Sequence, residues 1–226
     1  MSYVRFVMTH LRKDLQLEWR AKDSINGMLF FTLLVVVVFA MAFDPTAYPA
    51  IARQISGGLL WVAMLFAAMT ALNQSWAREV RNGVLDAHRL SPAPSSALFI
   101  GKALANFLFV SAVELVLAPV FVVFYNLQPL GDSRLLLLIL PLGTWALVGN
   151  GTFFAALSLK TRNRELLLPL VLFPISLPAL LAMIQATTNV LTGQGGPGLW
   201  IKVLLAYDVV FTTACVLLFE TILQGD

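Results

Sequence analysis

The chain has 226 residues, of which 59% are hydrophobic and only 12% charged, and its mean hydropathy is +0.83; an ordinary soluble domain carries roughly 25% charge. That composition excludes a soluble globular core. The formal net charge of +3 is spread beside apolar runs rather than gathered in a groove-sized patch, which excludes nucleic acid as a partner, and the single cysteine, Cys215, excludes a disulfide framework or thiolate metal cluster.

Residues 1–24 come first and carry charge throughout. Val4, Met8, Leu11, Leu15 and Trp19 recur with a helical period between Arg5, Thr9, Arg12, Lys13, Gln16 and Arg20, which predicts an amphipathic interfacial helix lying along the inner membrane surface. Residues 25–226 then hold six apolar stretches: Ile25 to Phe43, Ile55 to Asn73, Leu98 to Phe124, Arg134 to Leu157, Leu166 to Thr188 and Trp200 to Leu223. Hydrocarbon roughly 30 Å thick needs about 20 apolar residues at about 1.5 Å per residue, so each run reads as a transmembrane helix. The first is too long for the h-region of a signal peptide and reads as a retained anchor. The fold class is therefore an all-α membrane protein, with one six-helix domain and no room for a folded soluble domain.

Of the fifteen Lys and Arg residues, twelve flank the N-terminus, the 2/3 loop and the 4/5 loop; only Arg53, Arg134 and Lys202 lie in the other loops. Basic residues are retained on the cytoplasmic side, which places both termini inside. The outer loops are short. The glycine-rich one, with Gly193, Gly195, Gly196 and Gly198 around Pro197, lacks the Lys-Ser/Thr ending of a P-loop and reads as a turn. With no nucleotide motif elsewhere, any ATP must be bound by another polypeptide.

The loop from about 77 to 97 is the most distinctive. Val80, Val84 and His88 recur at four-residue spacing with Leu85 alongside, Arg78, Arg81, Asp86 and Arg89 supply charge, and Pro92 and Pro94 block continuation. The pattern predicts a short cytoplasmic surface helix. It serves either as a connector that reverses the chain or as a knob through which a partner moves the spans.

The Gly83-Val84-Leu85-Asp86 step and the Leu90-Ser91-Pro92 ending resemble the signature loop of the haem exporter B family (CcmB), the permease of the cytochrome c maturation system. Gly57-Gly58-Leu59-Leu60-Trp61-Val62-Ala63 is similar to that family's G-I-I-W-V segment, Lys102 followed by Pro119 to its third span, and Leu172-Phe173-Pro174-Ile175-Ser176-Leu177-Pro178 to its L-P-L-x-I-P stretch. Asn73-Gln74 departs from it, where the family commonly shows an acidic-arginine pair. The resemblance implies an ABC-2-type exporter permease of the bacterial inner membrane, paired as a homodimer and driven by a separate ABC ATPase that supplies ATP and Mg. It also implies a haem-handling membrane subunit and a small single-span helper as partners, haem as possible cargo, and release of a haem-loaded chaperone on ATP hydrolysis. On this reading Arg78, Glu79, Arg81, Gly83, Val84, Leu85, Asp86, Leu90 and Pro92 form the ATPase-coupling element, and the protein is not itself an enzyme.

Within the spans, Glu114 and Asp208 are the acids at hydrocarbon depth, where an Asp costs roughly 2.5–3.5 kcal/mol at a helix centre. Both fall in the outer half by helical rise. They are either packing sites that carry a proton or hydrogen bonds, or the lining of a polar outer cavity approached by Arg134 and Lys202. Pro169, Pro174 and Pro178 predict that the fifth span kinks or opens, Pro119 marks a further kink, and Asn150 between Gly149 and Gly151 predicts close packing with an interhelical hydrogen bond. His10 and His88 lie in cytoplasmic segments, and Met28, Met41, Met64, Met69 and Met183 read as adaptable packing, so no haem ligand and no metal ligand is assigned. Three other classes compete with the permease. These are an exporter of another substrate (lipid, polysaccharide or drug), an ion-coupled secondary transporter using Glu114 and Asp208, and a passive scaffold; an intramembrane enzyme would require a histidine at membrane depth.

Overall fold

The structure, a computed structural model, describes residues 3–21, 23–81, 83, 94–159 and 164–224. Among them the chain forms seven α-helices: α1 (Tyr3–Ala21), α2 (Asp23–Phe43), α3 (Pro49–Arg81), α4 (Ser95–Phe124), α5 (Leu136–Ser158), α6 (Arg164–Thr192) and α7 (Gly198–Gln224), with a 3₁₀ turn (Ser133–Leu135) leading into α5. Six of these, α2 to α7, are long and apolar enough to cross a membrane, so the protein is an all-α, multi-pass membrane protein.

α3 and α5 are the most buried spans. Their inner faces are built from small side chains, Ala63, Ala67, Ala68 and Ala71 on α3 and Gly143, Ala146, Ala155 and Ala156 on α5, with Ala179, Ala182 and Ala186 facing them from α6. Without a hydrophobic drive between helices in lipid, such residues let backbones approach and gain dispersion contact. α2 packs on α3, α7 on α5 and α6, and α4 on α5, α2, α3 and α7.

The Gly57 to Ala63 segment sits at the centre of this core. The Trp61 indole is fully buried over Gly143, where a Cβ would meet its ring, and its Nε1 donates to Thr187 Oγ1 at 2.9 Å. One tryptophan thus registers α3 against both α5 and α6. Asn150 makes the interhelical bond its position predicts: its Nδ2 donates to Tyr207 Oη at 2.8 Å, and Tyr207 donates in turn to the Ile175 carbonyl at 3.0 Å.

Two expectations need adjusting. α3 is longer than the apolar run from Ile55 to Asn73, because nothing breaks the helix before Arg81 and its polar last turns find partners in the fold. Ala77 to Arg81 therefore end α3 rather than begin a separate surface helix, and residues 84–93 of the expected helix lie outside the described residues. α6 does not open at its prolines. It stays helical through Pro169, Pro174 and Pro178, and α4 likewise continues through Pro119; a kink at a proline inside a continuous helix is compatible with both.

At the end of the bundle away from the termini, tight turns join the spans. Asp44 adopts a positive φ of 41° and accepts from the Thr46 hydroxyl at 2.7 Å and the Ala47 amide at 3.3 Å, contacts that hold its carboxyl below the usual aspartate range. Asp132 caps the 3₁₀ turn by accepting from the Arg134 amide at 3.0 Å.

Candidate functional site: a buried ion-pair cluster joining three helices

α1 meets the bundle along a face that the apolar stripe does not include. Val7, Asp14 and Glu18 are buried, while Val4, Met8 and Trp19 of the stripe are 67%, 55% and 75% exposed. Residues 7, 14 and 18 follow i, i+7 and i+11 and so share one side of the helix. α1 crosses α4 at Gly101, where a Cβ would lie 2.7 Å from the His10 Cβ and 2.9 Å from the Val7 carbonyl oxygen. Only a residue without a side chain admits that approach.

The next residue, Lys102, points into the junction and is 1% exposed. Its Nζ reaches Asp14 Oδ2 at 3.0 Å and Glu79 Oε1 at 2.8 Å, donates to Ser75 Oγ at 3.2 Å, and lies 5.0 Å from the Trp76 ring centroid. Lys13 reaches the same Glu79 oxygen at 2.6 Å and Asp14 at 3.4 Å, and Arg78 Nη1 binds Glu18 Oε2 at 2.7 Å. Burial alone would pull the Lys13 ammonium down, but Asp14 and Glu79 together outweigh it and hold its pKa above the ordinary lysine value. Trp76 carries the junction inward by donating to the Thr152 carbonyl of α5 at 3.1 Å.

Charges are balanced within the cluster, with Lys13, Arg78 and Lys102 against Asp14, Glu18 and Glu79. Such a cluster adds little net stability over an apolar packing of the same shape, yet removing one member leaves a buried charge uncompensated at about 3–5 kcal/mol. A slip of α1, α3 or α4 along its neighbours would break these pairs. A cavity of about 250 Å³ opens beside it, walled by Lys13, Asp14, Ser75, Arg78, Glu79 and Asn106. Glu79 Oε2 is buried without a hydrogen-bond partner, and a polar cavity of this size has room for the water that would supply one.

Two residues of the expected coupling element, Arg78 and Glu79, lie in this cluster. Glu79 is turned into the bundle, 4% exposed, toward α1 and α4. Gly83 is an exposed turn residue at positive φ, 60°. Arg81 ends α3, and Val84, Leu85, Asp86, Leu90 and Pro92 lie outside the described residues. Sequence reasoning missed Asp14, Glu18 and Lys102 as a unit. The available signal was an i, i+4 pair of acids on a basic helix, together with a lysine inside the start of an apolar span.

A model of the CcmB protein family matches residues 5–221. The chain belongs to the CcmB family. Three curated relatives share its length as a CcmB-family chain: the Heme exporter protein B of Rhodobacter capsulatus, 34% identical over 92% of both chains; that of Pseudomonas aeruginosa, 30% identical over 89% of this chain and 90% of the relative; and that of Bradyrhizobium diazoefficiens, 28% identical over 88% and 89%. In this CcmB-family fold the Gly57 to Ala63 and Lys102 motifs are positions where helices meet.

The intramembrane acids of this CcmB-family chain are separately placed. Glu114 accepts from Thr144 Oγ1 at 2.8 Å, joining α4 to α5, with its other oxygen unpartnered. Asp208 on α7 is 7% exposed, and neither of its oxygens has a hydrogen-bond partner, so neither Arg134 nor Lys202 neutralises it by direct hydrogen bonding. No group of three or more His, Cys, Asp or Glu among the described residues could hold a metal.

Proposed function

We propose that this chain is the membrane-spanning subunit of a bacterial inner-membrane ABC transporter that serves cytochrome c assembly. A separate ATPase binds ATP and Mg and docks on the 77–97 region, both termini face the cytoplasm, and α1 lies at the inner interface. A second copy of the chain completes the transmembrane unit, and a haem-handling membrane subunit and a small single-span helper complete the complex. ATP hydrolysis then exports haem or releases a haem-loaded chaperone. Family membership and relatives named Heme exporter protein B support the cargo.

One observation supports the coupling: the ion-pair cluster ties together the two flanks of the segment on which the ATPase docks. Glu79 stands in the last turn of α3 at the start of that segment, Lys102 in the second turn of α4 just after it, Glu79 binds Lys13 of α1, and Lys102 binds Asp14. A push on the segment therefore moves the ends of α1, α3 and α4 as one body rather than bending a loop. Arg78 and Glu79 act as positioning residues. Val84, Leu85 and Leu90 supply the contact surface, with Gly83, Asp86 and Pro92 shaping it. Glu114 and Asp208, separately buried on α4 and α7, are the candidate stations of a polar path in the outer half of the membrane, completed by the second copy of the chain.

Complementation tests the cargo. In a bacterium deprived of its own haem exporter B, this chain together with its ATPase should restore c-type cytochromes on haem-stained gels. A membrane-inserted protein that restores none would contradict the proposal.

A further inference from the structure

α1 sorts its charges by sign. Both of its acids, Asp14 and Glu18, are buried against α3 and α4, where cations of the cluster neutralise them. Arg5, Arg12 and Arg20 are all exposed, on the side next to the exposed stripe of Val4, Met8 and Trp19. Arg5, Met8, Thr9, Arg12, Lys13 and Gln16 line an open groove of about 410 Å³ along that side. The helix thus has three faces: one bound to protein, one apolar and one carrying only positive formal charge.

An interfacial helix needs only its apolar face to lie on a membrane. Acids mixed among the arginines would leave it indifferent to headgroup charge. We propose that the Arg5, Arg12 and Arg20 face of α1 is a binding surface for anionic phospholipid headgroups, with the apolar stripe and Trp19 set among the acyl chains. The partner follows from charge complementarity: phosphate-bearing headgroups of net negative charge attract juxtamembrane arginines, and the attraction fades within a Debye length. The ion-pair cluster serves this surface as well, since it withdraws the only two acids of α1.

Trp19 reports on the surface directly. The full-length protein is reconstituted into nanodiscs of phosphatidylcholine containing a minor fraction of phosphatidylglycerol, and an equal mole fraction of one lipid or the other carries brominated acyl chains. Quenching that disappears in Trp19→Phe isolates the α1 signal. The wild type should be quenched severalfold more by brominated phosphatidylglycerol than by brominated phosphatidylcholine, and the Arg5→Gln/Arg12→Gln/Arg20→Gln variant should be quenched equally by both. High salt should erase the preference in the wild type, a readout that does not depend on the variant folding. Equal quenching of the wild type by the two lipids at low salt would overturn the proposal. So would an absence of Trp19-dependent quenching by either lipid, the result expected if a second copy or another protein covers this face.

Discussion

Lys102 and Glu79 stand on opposite flanks of the connection between the second and third spans, yet Lys102 Nζ lies 2.8 Å from Glu79 Oε1, and both side chains are all but excluded from solvent. The connection is therefore clamped at its base. Its two flanks are joined to each other and, through Asp14 and Lys13, to α1.

Replacing one member of the clamp should be costly. Lys102→Met leaves Asp14 and Glu79 sharing Lys13 as their one remaining cation, so that one buried negative charge is uncompensated, with an expected loss of about 3–5 kcal/mol, read as a fall in the thermal unfolding midpoint of the detergent-solubilised protein. Adding Glu79→Gln to Lys102→Met should recover part of that loss, because the pair shares one interaction. Strict additivity of the two substitutions would show that they do not interact.

Lys13 sets a pH dependence. Its pKa in the fold is raised, so its stabilising effect is complete below the unfolded lysine value and is lost as pH rises through the folded value. The stability difference between wild type and Lys13→Gln should be constant at neutral pH and shrink in the strongly alkaline range. A difference that grew with alkalinity would reverse the assignment.

Packing at Trp61 should be intolerant of added volume. Gly143→Val drives side-chain atoms into the indole ring, and overpacking of this kind costs about 1–3 kcal/mol. Trp61→Phe relieves no strain but gives up the bond to Thr187, at roughly 1 kcal/mol. A Gly143→Val protein as stable as wild type would place the ring elsewhere.

Asp208 separates a functional acid from a structural one. Both of its oxygens are buried and unpartnered, so Asp208→Leu should raise stability by roughly 1–3 kcal/mol while reducing cytochrome c maturation. Glu114→Gln keeps an acceptor for Thr144 and should leave stability nearly unchanged. Full maturation with neutral amides at both Glu114 and Asp208 would remove the polar path.

The spans were legible in the sequence because the length of an apolar helix is set by the hydrocarbon it must cross. The interhelical bond of Asn150 was legible for a related reason: a buried amide needs a partner. Hydropathy falls away after Asn73, but backbone hydrogen bonding does not, so the last turns of α3 read as loop. Asp14 and Glu18 carry no reading of their own in the sequence, since their partners come from α3 and α4, and Lys102 counts among the topological charges. The cluster is a tertiary object. The i, i+4 spacing of Asp14 and Glu18 is its one local pattern; the partners on α3 and α4 lie far off in sequence, and the close crossing of α1 over Gly101 helps bring them together.

Coupling requires that an ATPase grip the segment after Glu79. Affinity purification of the tagged chain from membranes that also contain the ATPase subunit measures this directly. Wild type should retain the ATPase, and Val84→Asp/Leu85→Asp/Leu90→Asp should lose it while keeping the unfolding midpoint of the isolated permease. Retention of the ATPase by that variant, or failure of the wild type to retain it, would contradict the account.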